Sequence, residues 1–328
     1  MIDTVKIAAV QMEPKLMQNK YNLDNIISKI ITASERGAQL IVFPECSLSG
    51  YLFTSLDEAL PYMETVPGPS TDEITKYAKQ LNVYIIFGLL EKEGNKHFNT
   101  AALIGPDGLI GKYRKIHLPF LGIDRFIDKG DKEFKVYNTP IGNIGIHICY
   151  DCNFPECARV MKLLGADILA LPTNWPAGRQ KIAEHVVLCR AYENKVNFVA
   201  ANRTGIERDV KFIGLSRIVD TSGEIIAGTT DDSEQIVYAN ISLKEARQKH
   251  ITFKAREFEI NFFADRRPEF YDEITDKRKL LYAIIVQLNT PESAHGTKKL
   301  YHPTMGDYAI SYPATLLQHY IKFRYLLL

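Results

Sequence analysis

The sequence predicts an α/β protein, a layered sandwich with helices on its outer faces. Three observations carry this. Apolar runs at 5–10, 40–43 and 83–90 have the length of buried strands. Between them Leu23, Ile26, Ile27, Ile30 and Ile31 recur at helical spacing and mark an amphipathic helix over 21–37. Two turn signals, Gly105-Pro106-Asp107-Gly108 and Thr221-Ser222-Gly223, sit between strand-like segments and read as hairpins.

The remaining elements follow in order. The strand at 40–43 ends at Pro44-Glu45, and Ser70-Thr71-Asp72-Glu73 reads as a capping box opening the next helix. Segments 98–104 and 109–115 flank the first hairpin turn. An alternating run then ends at Cys149, and a helix is expected over 155–164. A strand at 168–171, a long helix at 180–195 and a strand at 197–201 continue the alternation, and segments 215–220 and 224–227 flank the second turn. Helices between strands must bury their apolar stripes on the sheets, which places them outside. No sequence repeat of 20–50 residues is visible. Beyond Asp276 the texture changes: Pro291, Pro303 and Pro313 interrupt a segment rich in Tyr and His, and 320–328 is apolar and aromatic. The expected organisation is one domain over 1–275, with a C-terminal extension over 276–328 that packs on the domain or at a subunit interface.

Bulk properties narrow the function classes. The 328 residues carry a net charge of +1, so charge gives no reason to expect nucleic acid or an anionic membrane as partner. No apolar run approaches the roughly 18 residues of a membrane helix. The segment 1–7 reads as a first strand and not as a signal peptide. Five cysteines, an odd number without a disulfide framework, point to a reducing compartment. The expectation is a cytoplasmic protein that uses no cofactor and no metal.

Three strand ends carry reactive groups. Phe43-Pro44-Glu45 offers a carboxylate, Lys112-Tyr113-Arg114-Lys115 an ammonium, and His147-Ile148-Cys149-Tyr150-Asp151 a thiol. Open α/β folds place reacting groups at the carboxyl ends of strands, and a thiolate is a strong nucleophile. Each residue has a plainer reading. A lone strand cysteine is more often packing, and a loop glutamate is more often solvated. Lys115 competes with Lys112 and Arg114, although strand alternation puts Tyr113 and Lys115 on one face. Cys149 and Cys152 also form a C-x-x-C, with His147 and Cys157 nearby. A structural zinc site needs a second pair, and Cys46 and Cys189 stand alone.

Taken together, the three segments resemble the nitrilase superfamily of carbon–nitrogen hydrolases. Gly165-Ala166-Asp167, Pro172-Thr173-Asn174-Trp175-Pro176, Arg190-Ala191-Tyr192-Glu193-Asn194, Gly214-Leu215-Ser216 and Asp265-Arg266-Arg267-Pro268-Glu269 extend the likeness over about residues 4–275. The resemblance implies a four-layer α-β-β-α sandwich. It implies Cys149 as nucleophile, Glu45 as general base and Lys115 as oxyanion stabiliser, with the Tyr150 amide completing the oxyanion hole. Asp124 stands near the place of the family's second glutamate, one methylene shorter, with the alternative that it only pairs with Arg125. Tyr150-Asp151 after the cysteine looks like the amide and N-carbamoyl branches, whereas true nitrilases tend to have Trp-Glu. The implied reaction is cleavage of a small linear amide or N-carbamoyl amine through a thioester. Nitrile hydrolysis, an acyltransferase, or a catalytically silent binding member are the alternatives. A homodimer or larger homo-oligomer is expected. Asn174 and Trp175 follow a strand on the side where substrate would lie, as pocket wall or as core. Arg125, Arg179, Arg203 and Lys211 are candidates to grip a substrate carboxylate.

Overall fold

Strand β1 (Thr4–Gln11) pairs in parallel with β2 (Leu40–Val42), which pairs in parallel with β3 (Tyr84–Glu93). β4 (Lys96–Gly105) and β5 (Gly108–Arg114) continue the sheet antiparallel through the expected hairpin. The computed structural model describes residues 3–276. A second sheet has three parallel strands at its centre, β7 (Gly142–Ile146), β8 (Ile168–Thr173) and β9 (Asn197–Asn202), with β6 (Val136–Thr139) antiparallel outside β7. After a small ribbon, β10 (Ile206–Glu207) and β11 (Val210–Lys211), the hairpin β12 (Arg217–Val219) and β13 (Ile225–Gly228) adds to β9. β14 (Gln235–Ser242) returns to pair antiparallel with β1.

The strand orders are β14-β1-β2-β3-β4-β5 and β13-β12-β9-β8-β7-β6. Each sheet therefore has one antiparallel strand, three parallel strands and two antiparallel strands. The two halves repeat in pairing pattern although their sequences show no repeat.

Alternation along the strands builds the layers. Val5, Ile7 and Ala9 of β1 share a core with Ile144 and Ile146 of β7 and Ile168 of β8. Ala8 and Val10, on the other face, pack with Ile26, Ile30 and Ala33 of α1 (Asn19–Glu35) and with residues of the next long helix. Strands buried on both faces read as continuous apolar runs. Helix α2 (Leu56–Ala59) precedes that next helix, α3 (Pro69–Leu81). Helices α4 (Pro155–Leu163) and α5 (Val187–Asn194) contribute Cys157, Ala158, Met161, Val187 and Ala191 to the core that holds the second sheet. The fold is the α-β-β-α sandwich, and the residues between the sheets are its main core.

Three local expectations shift. The helix expected to open at Ser70 begins at Pro69. Thr71 Oγ1 accepts from the Gly68 N–H at 2.7 Å, while Ser70 N–H donates to Glu64. The helix expected over 180–195 is interrupted by a π turn at Ile182–Val186 before α5. The strand leading to Cys149 ends at Ile146, three residues early.

The chain divides into two units, Met1–Ala264 and Asp265–Leu328. In the first, α6 (Leu243–Arg247) and a ribbon, β15 (Ile251–Lys254) with β16 (Phe258–Ile260), follow β14. In the second, the described residues form a 3-10 turn at Pro268–Phe270 and a short helix α7 (Asp272–Thr275). The expected extension at 276–328 lies, apart from Asp276, outside the described residues. Among these, no helix is long and apolar enough to cross a membrane.

Candidate active site

Glu45 lies three residues past β2, where the chain continues beside β3 through a Phe43 N–H bond to Ile86 O at 2.8 Å. The turn is tight, and Cys46 takes a left-handed backbone with φ 47°. Gly88 on β3 makes room for it, since a Cβ there would stand 2.4 Å from the Cys46 nitrogen. Lys115 is the first residue past β5, tied to β4 by its N–H to Asn99 O at 2.8 Å. Cys149 opens a 3-10 turn, Cys149–Asn153, with φ 46°. A left-handed cysteine is backbone strain of the kind that clusters at functional sites.

The fold brings these ends together in a buried polar cluster. Lys115 Nζ donates to Glu45 Oε1 at 2.6 Å and to Asp124 Oδ2 at 2.5 Å. Asn99 Nδ2 donates to Glu45 Oε1 at 2.7 Å and to Asp124 Oδ1 at 3.0 Å. The Tyr51 hydroxyl donates to Asp124 Oδ2 at 2.8 Å. Glu45 is fully buried, and its second oxygen, Oε2, has no hydrogen-bond partner among the described residues. Asp124 does not turn to Arg125, which is exposed and donates instead to Gly122 O and Phe53 O.

Burial and charge compete here. Burial opposes the charge on Lys115, but Asp124 first and Glu45 next lift it well above the ordinary ammonium value. Burial raises Glu45, Lys115 pulls it down, and Asp124 raises it again; the result is above the usual carboxylate. The Cys149 thiol is pushed up to about 12 by burial and then by the Glu45 charge; Lys115, the Thr173 hydroxyl and the Asn174 N–H only moderate this. A nearby ammonium alone would lower a thiol, but desolvation wins. The resting Cys149 is therefore a thiol, and any reaction through its sulfur requires that the proton leave.

Behind the cysteine, Asp151 is fully buried. It accepts from Tyr113 OH at 2.8 Å, Ile148 N–H at 2.9 Å and His117 N–H at 3.0 Å, and pairs with His117 Nδ1 at 2.7 Å. His117 Nδ1, Asp151 and the Cys157 sulfur lie within 4.8 Å of one another, a possible metal donor set. Both Asp151 oxygens are already engaged by those hydrogen bonds, so the group reads as a His–Asp pair with a packed thiol. Among the described residues all five cysteines are free. Lys112 and Arg114, on the other strand face from Tyr113 and Lys115, both meet Glu91.

Asn174 and Trp175, just past β8, are almost fully buried. Asn174 Nδ2 and Oδ1 and Trp175 Nε1 have no partner among the described residues, while the Trp175 N–H donates to Asn202 Oδ1 at 2.8 Å. Of the proposed carboxylate grips, Arg203 is ruled out. It is buried, donates to Glu207 at 2.5 Å and to Pro14 O at 3.1 Å, and lies over the Phe212 ring. Lys211 pairs with Asp232 at the surface. Sequence reasoning missed Asn99 and Tyr51, which bind the carboxylates.

A family model described as carbon-nitrogen hydrolase matches residues 6–250. A protein named nitrilase from Pyrococcus abyssi is 38% identical over 269 residues, covering 81% of this chain and 99% of its own. An N-carbamoylputrescine amidase from Oryza sativa is 32% identical over 291 residues, covering 81% of this chain and 93% of its own. In fold, the chain is similar to the crystal structure of a carbon-nitrogen hydrolase from Helicobacter pylori, with a TM-score of 0.74 at 24% identity, over 84% of this chain and 99% of that one.

Proposed function

Because the chain belongs to the carbon–nitrogen hydrolase family, in the amidase-like branch of the nitrilase superfamily, we propose that it cleaves the C–N bond of a small linear amide or N-carbamoyl amine through a thioester on Cys149. The observation that carries this is the Lys115 ammonium, held between Glu45 and Asp124, with Glu45 Oε2 left unpartnered.

In this reading Glu45 Oε2 takes the thiol proton as Sγ attacks the carbonyl carbon. The electron pair moves to the carbonyl oxygen, which Lys115 Nζ and the Tyr150 N–H stabilise. The C–N bond then breaks, and Glu45 returns its proton to the departing nitrogen. Glu45 next deprotonates a water, which attacks the thioester carbon; the acid or carbamate leaves and the thiol is restored. Asp124 keeps Lys115 charged and in place, and Asn174 and Trp175 line the substrate's approach. The Tyr150-Asp151 pair and the carbamoyl-acting relative support the amide and carbamoyl substrates.

Nitrile hydrolysis is the second reading, favoured by the name of the Pyrococcus relative. Assembly as a homodimer or larger homo-oligomer belongs to the proposal too. Exposed Val160, Leu163 and Leu164 at α4 and Tyr192 on α5 support it with apolar surface.

The test is ammonia release across a panel of small amides, N-carbamoyl amines and nitriles, with Cys149→Ala as control. Cysteine-dependent release from an amide or carbamoyl compound supports the proposal, and release from nitriles alone replaces it with the second reading. Silence across the panel with a thiol inert to iodoacetamide would favour a binding protein.

A further inference from the structure

Asn99 is a buried polar residue in the middle of β4, between Phe98 and Thr100. Its register places it beside all three charged groups of the cluster. Its side-chain nitrogen donates to Glu45 Oε1 and to Asp124 Oδ1, and its backbone oxygen accepts from the Lys115 N–H. Its side-chain oxygen accepts from the Cys46 thiol at 3.6 Å. That last contact fixes the amide's orientation: the nitrogen faces two carboxylates and the oxygen faces a donor.

The two oxygens of Glu45 are thereby made unequal. Oε1 carries two donors, Lys115 and Asn99, and Oε2 carries none among the described residues. We infer that Asn99 is a positioning residue which, by donating to Glu45 Oε1, reserves Oε2 for proton transfer with the thiol. The inference rests on the reading of Glu45, Lys115 and Cys149 as the triad.

The titratable groups facing Glu45 are Lys115 just past β5, Asp124 from the loop after it, Tyr51 from the loop before α2, Cys149 from the turn after β7 and its own neighbour Cys46. Lys115 and the Asn99 donor favour the charged carboxylate, and Asp124 disfavours it. Loss of the Asn99 donor removes one of the contacts that keep the base ionised.

The experiment compares Asn99→Ala and Asn99→Asp with the wild type, in kcat, KM and the pH profile of kcat/KM, with thermal melts and Cys149→Ala alongside. A donor role predicts that Asn99→Ala loses kcat by on the order of 100-fold, as for a slightly misplaced catalytic group, with KM nearly unchanged. Its acid limb moves upward, because Glu45 now holds its proton to higher pH. Asn99→Asp keeps the shape but turns an acceptor on two carboxylates, so it loses more than alanine. A space-filling role predicts the reverse order, with an unmoved acid limb, and that result overturns the inference. Should Asn99→Asp fail to fold, the acid limb of Asn99→Ala decides alone. Full turnover in Cys149→Ala would sink the triad and this role with it. Normal turnover in Asn99→Ala, with Cys149→Ala inactive, would sink only the role of Asn99.

Discussion

The Tyr113 hydroxyl donates to Asp151 Oδ2 at 2.8 Å, joining the strand that ends just before Lys115 to the turn that opens at Cys149. Both residues are buried, and Asp151 also holds the Ile148 N–H just before the cysteine. The bond thus ties the strand that leads to Lys115 in one sheet to the Cys149 turn that follows a strand of the other. Tyr113→Phe keeps the ring but removes the donor. It should cost about 2 kcal/mol, the scale of a hydrogen bond to a charged group, measured as a lower urea midpoint. In the same variant kcat should fall while KM stays close to wild type. An unchanged midpoint would mean that the other donors to Asp151 suffice.

Asp124 is the nearer of the two carboxylate contacts of Lys115, and it accepts from Tyr51 and Asn99 as well. It is the largest influence lifting Lys115 against burial. Asp124→Asn keeps the size and removes the charge. It should lower kcat on the order of 10- to 100-fold, since the ammonium then has one anchor and drifts. Steady-state kinetics on whichever amide is turned over checks this, and an unchanged kcat would leave Asp124 a purely structural acid.

What the sequence made legible is what strand ends carry. Glu45 and Cys149 each follow an apolar run and stand out locally; Lys115 follows Lys112-Tyr113-Arg114, and only strand alternation and the family resemblance, which links the three across 70 and 34 residues, single it out. Asn99 could not be found that way. It sits inside a strand, and only the register with β3 and β5 brings it to the carboxylates. The start of α3 lies one residue before the expected Ser70, because Gly68 has no side chain and Thr71 caps from within the helix. The π turn at Ile182–Val186 was invisible because an extra residue in one turn leaves the apolar spacing on either side intact. The pairing pattern common to the two sheets left no trace, because it constrains backbone direction and not side-chain identity.

His147 predicts the acid behaviour of the fold. It is fully buried, meets Phe198 edge-on at 5.3 Å, and its ring nitrogens have no partner among the described residues. Burial, with Arg190 adding to it against the pull of Asp151, lowers it to about 4 from 6.5. The unfolded chain takes up this proton first, so stability falls as pH drops from about 6.5 to 4. The full loss is about 3 kcal/mol, at 1.36 kcal/mol per pH unit. His147→Leu should match or exceed wild-type stability at pH 7 and lose less at pH 4.5, read from urea midpoints at both values. Equal acid losses in the two proteins would place the sensitivity elsewhere.

Glu45 has two effects on Cys149 that one substitution separates. As a charge, it helps to hold the thiol near 12. As a base, in the proposed mechanism, it accepts the proton that the attack releases and returns it to the leaving nitrogen. Glu45→Gln removes both. Turnover should fall by about 1000-fold, the scale of a lost general acid–base. Alkylation by iodoacetamide needs only thiolate and expels iodide, which requires no proton. With the carboxylate charge gone the thiol ionises more readily, so alkylation at pH 7 should persist or quicken in the variant that no longer turns over. Measuring the two rates on one preparation separates the roles. Should both fall together, Glu45 acts by holding Lys115 and the turn in place. Should turnover survive, another group carries the proton.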